Sequence, residues 1–433
     1  MRVDAVISGS RILNRTRERR CYFCGQQLRE DAAFCVSCGR RQVPQAEAAA
    51  PSTSSNRTFL VAVSAFIGLS VFGCLALCVG LLLIASVPNP IALTLATIAA
   101  IIPATAYSLM VLLLDRFESE PWYTLLGAFL WGAVVAVVFS VTFGLLTGGV
   151  VFVTWGEEAA SLFGLVIGAP VFEESTKGAA LLVLLLAFRH ELDSILDGII
   201  YGALVGLGFA MTENILYFGS FFLDAGLGEL IFGFFIRAGI GGFAHALFTA
   251  CTGAGIGWAR SRYGQGGWRF VAPFAGLALA MLLHGAWNGS AAIASYLDIG
   301  AGGSLLLLGF LFFGLIVPPF FAVLFIAFQS WRKQLHILRS QLVDEVQQGT
   351  ISPQEYGMLT NPGLRRRAHW SALFSRGVRA WIRQHRLSRL TSQLAFQKHH
   401  AAQGEPEPSG FRKRSDAELR AAIATARQNL LAA

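Results

Sequence analysis

Eight long apolar runs, separated by short polar breaks, constrain this chain more than any other feature. A helix needs about 20 mostly apolar residues to cross the hydrocarbon core of a bilayer. Read on that length, the runs cover residues 59–86, 91–114, 122–153, 161–188, 195–219, 230–258, 270–296 and 305–328. In lipid every backbone polar group has to be satisfied within the segment, so each run is expected to be an α-helix. Composition agrees: 54% of the residues are hydrophobic and 14% charged, against about 25% charged in an ordinary soluble domain. The expected fold is therefore an all-α polytopic bundle of about eight transmembrane helices.

An even number of spans puts both termini on one side, and the loops give an independent check. Those on the termini's side, 115–121, 189–194 and 260–269, carry Arg116, Arg189, Arg260, Arg262 and Arg269. Those on the other side, 87–90, 154–160, 220–229 and 297–304, carry no Lys or Arg but hold Glu157, Glu158, Asp224, Glu229 and Asp298. Positive loops face the cytoplasm, so the expected location is a cell membrane with both termini cytoplasmic. The ends share that bias: residues 1–57 hold ten Arg against five acids, and residues 331–433 hold seventeen Lys or Arg against seven. Anchoring at a membrane explains these basic ends more simply than nucleic-acid binding, which is weakly supported.

Outside the spans, residues 1–42 contain Cys21-Tyr-Phe-Cys24-Gly25 and Cys35-Val-Ser-Cys38-Gly39. Two such knuckles place four thiolates around one tetrahedral zinc, with a glycine after each second cysteine to let the backbone turn. The segment looks like the short zinc ribbon at the start of many bacterial membrane proteins. All four positions are filled by Cys, so the expected zinc is structural. Residues 43–57 read as a flexible linker, 58–330 as the transmembrane domain, and 331–433 as a basic, helical cytoplasmic tail. Within the tail, residues 331–348 form an amphipathic helix stopped by Gly349, Ser352-Pro353-Gln354-Glu355 starts another, and Ser415-Asp416-Ala417-Glu418 starts a last one. The Arg-rich stretch 365–389, with Trp370 and Trp381, suits either an anionic membrane surface or a solvated helix.

Charged side chains inside spans are costly and mark function. Here they are Glu173, Glu174, Lys177, Asp197, Glu213 and Arg237, joined by His245 and His284. Glu173 and Lys177 are four residues apart on one helix face, and Glu174 and Lys177 are three apart. Neighbouring carboxylates in a low-dielectric medium are costly to ionise together, a setting suited to a general base. The next spans supply Glu213-Asn214, then His245 with Thr249, then His284 with Asn288, each His four residues before its partner. Four consecutive spans thus each bring a polar cluster able to move protons or bind metal, which predicts one shared site.

Glu173-Glu174-x-x-Lys177, Phe209-x-x-x-Glu213-Asn214, His245-x-x-x-Thr249 and His284-x-x-Trp287-Asn288 resemble the ordered motifs of the PrsW family of intramembrane proteases, relatives of the CAAX-processing and bacteriocin-processing membrane proteins. The segments 115–122 and 197–202 are similar too, so the resemblance covers 115–288. It implies catalysis by Glu173, Glu174 and His284, with Glu213, Asn214, His245 and Asn288 in the same cavity and a membrane protein or peptide as substrate. Two mechanisms stay open. In one, Glu173 or Glu174 activates water, His284 with Asn288 stabilises the oxyanion, and His245 and Glu213 orient the water or tune the pair. In the other, His245, His284 and a glutamate hold a catalytic zinc. The rival readings are an ion-coupled transporter, which would use the same midplane groups, and a scaffold in which they only fix packing.

Overall fold

The computed structural model describes residues 19–20, 26–28, 37–38, 54–114, 117, 120–188, 191–261, 266–296, 300–402 and 414–431. It divides into a unit over 1–69 and a larger one over 70–433. In the first, Arg19–Arg20 pairs antiparallel with Gln27–Leu28, and Cys38 lies exposed in a turn. Cys21, Cys24 and Cys35, and with them the expected zinc ribbon, lie outside the described residues, as does the expected linker up to residue 53. The four linker residues after it already belong to the first helix, which starts at Ser54.

The other described residues are mostly helical. In chain order we label α1 (Ser54–Ser86), α2 (Pro90–Leu112), α3 (Trp122–Trp155), α4 (157–187), α5 (Ile195–Ala225), α6 (227–240), α7 (Ala244–Ser261), α8 (Trp268–Tyr296) and α9 (300–341). Starts follow from local chemistry. Asn89 accepts from the amides of Ile91 and Ala92 ahead of Pro90 in α2, and Ser194 and Asp197 form a reciprocal capping box at the head of α5. Asp197 is thus a helix-capping residue rather than a free charge within a span.

Among the described residues six helical stretches are long and apolar enough to cross a membrane: Pro90–Leu112, Trp122–Trp155, Ile195–Ala225, Leu227–Ser261, Trp268–Ser290 and Gly302–Gln347. The chain is an all-α multi-pass membrane protein. The described part of α1 adds a shorter apolar helix, Ser70–Ser86. α4 lies outside the six, and it is the helix that carries Glu173, Glu174 and Lys177.

α5 is the centre of the bundle. Every residue from Leu196 to Ala210 is buried, as expected of a helix that is apolar all round. Between membrane helices there is no hydrophobic drive to associate, so close backbone packing at small residues takes its place. Gly198, Gly202 and Gly206, one helical face of α5, lie against the backbone of Gly253, Thr249 and His245 of α7. The order runs backwards, so the two helices are antiparallel. α8 packs on the other side of α7, with Gly276 against the Cys251 carbonyl. A Cβ at Gly206 would sit 2.2 Å from the His245 carbonyl oxygen. Gly206→Ala should therefore push α7 away, cost about 1–3 kcal/mol, and displace His245. Thermal unfolding in detergent and turnover should fall together; an unchanged melting temperature would contradict this packing.

After α9, α10 (Val343–Gln347), α11 (Pro353–Leu359), α12 (Pro362–Ala402) and α13 (Asp416–Leu431) follow. Both predicted start signals form: Ser352 with Glu355, and Ser415 with Glu418. The tail is more than a solvated helix, because Leu338, Leu342, Leu359, Leu387, Leu394, Leu419 and Ile423 share a core with Phe117 from the α2–α3 connection. Buried Glu345 ties the helices by accepting from Arg420 at 2.8 and 2.9 Å and from Lys398 at 3.0 Å.

Candidate active site

The close α5–α7 seam sets His245 beside Phe209, ring centroids 5.6 Å apart. One turn further along α5, Glu213 reaches the same imidazole, its Oε2 2.8 Å from His245 Nε2. α8 delivers His284, whose ring stands edge-on to His245 at 5.1 Å and stacks on Phe248 at 5.3 Å. α4 approaches from the opposite side, held by Trp131 Nε1 donating to the Thr176 carbonyl at 3.0 Å. Four helices, α4, α5, α7 and α8, meet here.

At the centre lies Lys177, with a fully buried side chain. Its Nζ stands 3.1 Å from Glu173 Oε2, 2.9 Å from Glu174 Oε1 and 3.0 Å from His245 Nδ1, and 3.8 Å from the centroid of the Phe209 ring. An ammonium has three hydrogens to donate, and here it finds three acceptors. Glu174 is also fully buried; it accepts from Thr249 Oγ1 at 3.0 Å and lies 3.0 Å from His284 Nδ1. Glu173 differs. It keeps 13% side-chain exposure, and its Oε2 lies 3.9 Å from His284 Nε2 and 4.0 Å from His245 Nδ1.

The exposure of Glu173 has a destination. A cavity of 560 Å³ between α3, α4 and α5 is lined by Ser140, Gly144, Phe172, Glu173, Glu213 and Leu216, and reaches Ser86 and Ser220 at the helix ends. Its two acidic walls are Glu173 and Glu213.

Of the other expected positions, Asn214 accepts from Arg237 Nε at 2.7 Å. Asn288 turns away from the cluster and donates to the Leu165 carbonyl at 3.1 Å, where it links α8 to the π-helical turn 164–168 of α4. Four residues after His284 is close to the same helix face, but a short amide side chain finds its nearest acceptor on the neighbouring backbone. Arg237 is the functional-site residue for which sequence reasoning supplied no partner. It donates to Glu213 at 2.8 Å and lies 3.7 Å over the Tyr217 ring. The signal was present, since an arginine within a span has to find an anion. A separate contact joins the two outlying motifs: Tyr201 donates to Glu120 Oε2 at 2.7 Å and meets Thr124 at 2.8 Å.

Ligand atoms of Glu173, Glu174, His245 and His284 all lie within 4.8 Å of one another. Two imidazoles and two carboxylates are the nitrogen and oxygen donors that a zinc-type ion takes, so the donor set fits a metal. The rear nitrogen of each ring faces a carboxylate, Glu213 for His245 and Glu174 for His284, the support that metal-binding histidines receive. Acids and imidazoles gathered beside a cavity among apolar helices suit the chemistry of an intramembrane hydrolase.

Comparison with known proteins narrows the class. The family model described as PrsW family intramembrane metalloprotease matches residues 120–324. Protease PrsW of Bacillus subtilis (strain 168) is 30% identical over 192 residues, covering 44% of this chain and 79% of the relative. Protease PrsW of Geobacillus kaustophilus (strain HTA426) is 32% identical over 194 residues, 44% of this chain and 76% of the relative. That of Clostridioides difficile (strain 630) is 31% identical over 196 residues, with the same shares of 44% and 76%. No solved structure matches. The chain belongs to the PrsW family and is an intramembrane protease.

Proposed function

We propose that Glu173 is the general base of peptide-bond hydrolysis and that Glu174, His245, His284 and Lys177 build its setting. The observation that supports this is the difference between the two adjacent carboxylates: Glu173 lines the cavity, while Glu174 is enclosed by Lys177, Thr249 and His284. Water in the cavity meets Glu173, which takes its proton and hands it to the leaving amine. Glu174 fixes the His284 ring from behind, so that Nε2 faces Glu173 and the reacting carbonyl. Lys177 compensates the paired acids, and Arg237 with His245 holds Glu213 at the cavity wall.

A divalent ion would be held by His245, His284 and one of the two glutamates, with His245 Nδ1 exchanging its contact with Lys177 for the ion. When bound, such an ion polarises the carbonyl and acidifies water. The four-cysteine ribbon is proposed as a separate structural zinc site, and both termini as cytoplasmic. The substrate is proposed to be a single-span membrane protein or peptide, such as a regulator released by cleavage.

The test is cleavage of a single-span peptide co-reconstituted with the protein in liposomes. Cleavage should stop on treatment with a zinc chelator and return on adding zinc. Chelator-resistant cleavage would remove the metal assignment. Solute flux without peptide cleavage, the behaviour of a transporter, would remove the whole scheme.

A further inference from the structure

The hairpin in the C-terminal helices is not used by this chemistry. α12 reverses at Gly377, whose φ of 81° is left-handed and suits glycine. Its arms are joined by Arg365 Nη1 donating to Ser392 Oγ at 3.2 Å, by His369 Nε2 and Ser388 Oγ at 3.1 Å, and by the His369 and His385 rings at 5.6 Å. Along the hairpin Ala372, Ala380, Gln384 and Leu387 are buried, Gln384 against Met358 and Leu387 in the shared core of the tail. The tip presents the opposite character. Phe374 is 80% exposed, Val378 60%, Ile382 53%, Trp370 52% and Trp381 37%.

The open end of the hairpin is tied to the ends of the spans. Arg365 lies over the Phe117 ring at 5.4 Å, in the α2–α3 connection. His400 Nε2 is 3.4 Å from Asp193 Oδ2, in the α4–α5 connection. The first connection joins two membrane-length helices across a short loop and the second leads into a third, so this end of the hairpin is held at the ends of the spans. The charge is one-sided: residues 362–402 contain no Asp or Glu, and Arg366, Arg367, Arg376, Arg379, Arg386 and Arg389 are exposed. Exposed aromatic and aliphatic side chains interleaved with arginines, on an element held beside the spans, match the interface of a negatively charged lipid surface. A protein partner would need a matching acidic face and an apolar pocket; an anionic bilayer supplies both.

We propose that residues 370–382 insert their apolar side chains among the headgroups of an anionic membrane, with the flanking arginines on lipid phosphates. The hairpin then acts as a second, peripheral anchor that holds the C-terminal helices against the membrane.

The full-length protein is placed in nanodiscs of zwitterionic phosphatidylcholine, or of the same lipid with about one-third phosphatidylglycerol, and tryptic cleavage after Arg376 and Arg379 is timed. Anionic lipid should slow cleavage by about fivefold or more. The Phe374→Ser/Ile382→Ser variant, altered only at exposed positions, should be cut rapidly in the same anionic discs, which also controls for any effect of lipid on trypsin. Equal rates in the two lipids would overturn the proposal. So would a variant as well protected as the parent, or protection that appears only when a protein substrate is added.

Discussion

Glu173→Gln should lower peptide cleavage by about 10²–10⁴-fold, the usual contribution of a positioned general base, and leave the protein folded. Glutamine keeps the side-chain shape and still offers an oxygen to Lys177, and Glu173 has the cavity beside it to take up a reoriented amide. The neighbouring substitution is expected to behave differently. Glu174 is fully buried and engaged by Lys177, Thr249 and His284, so Glu174→Gln places an amide where an acid was fully used. It should lower both turnover and melting temperature. The measurement is paired, cleavage rate in liposomes and thermal unfolding in detergent. Wild-type cleavage by Glu173→Gln would end the assignment of the base, and identical behaviour of the two variants would end the division of labour.

Lys177→Met carries the largest expected cost in stability. The substitution removes the cation that meets two carboxylates at 2.9 and 3.1 Å with its own side chain fully enclosed. Breaking a buried ion pair from one side costs about 3–5 kcal/mol, because the remaining charge is left without compensation. Adding Glu174→Gln to Lys177→Met removes part of that uncompensated charge and should restore part of the loss. Such non-additivity is what residues in one network show. If the two losses simply add, Lys177 is not the counter-charge of the pair.

Much of this site was legible along the chain. The i, i+4 placement of Glu173 and Lys177, and the polar clusters on consecutive apolar runs, identify the participants because a bilayer makes each of them expensive. Their convergence needs one more layer, the antiparallel contact between α5 and α7. Its mark, the glycines 198, 202 and 206, also fits a broken transport helix when read without a partner; the close approach to Gly253, Thr249 and His245 gives those glycines a packing role. Arg237 stood out as a charge, but its partners lie 23 and 24 residues away on another helix. In the tail, local capping signals located helix starts correctly, while a high arginine content concealed that Leu338, Leu387, Leu394 and Leu419 bury one another. Burial by distant partners leaves no local signature.

Hydrolysis at this site requires a bound substrate to lie along the cavity wall, which crosslinking can locate. In a Glu173→Gln background, which should trap substrate, a photo-crosslinking side chain is placed at Leu216 or Phe172 on the cavity wall, and in a separate protein at Leu186, 75% exposed on the outer face of α4. A single-span substrate should crosslink from Leu216 and Phe172 and not from Leu186. Crosslinking from Leu186 with silent cavity positions would show that the peptide bond never reaches the acids and imidazoles, and would contradict hydrolysis at this site.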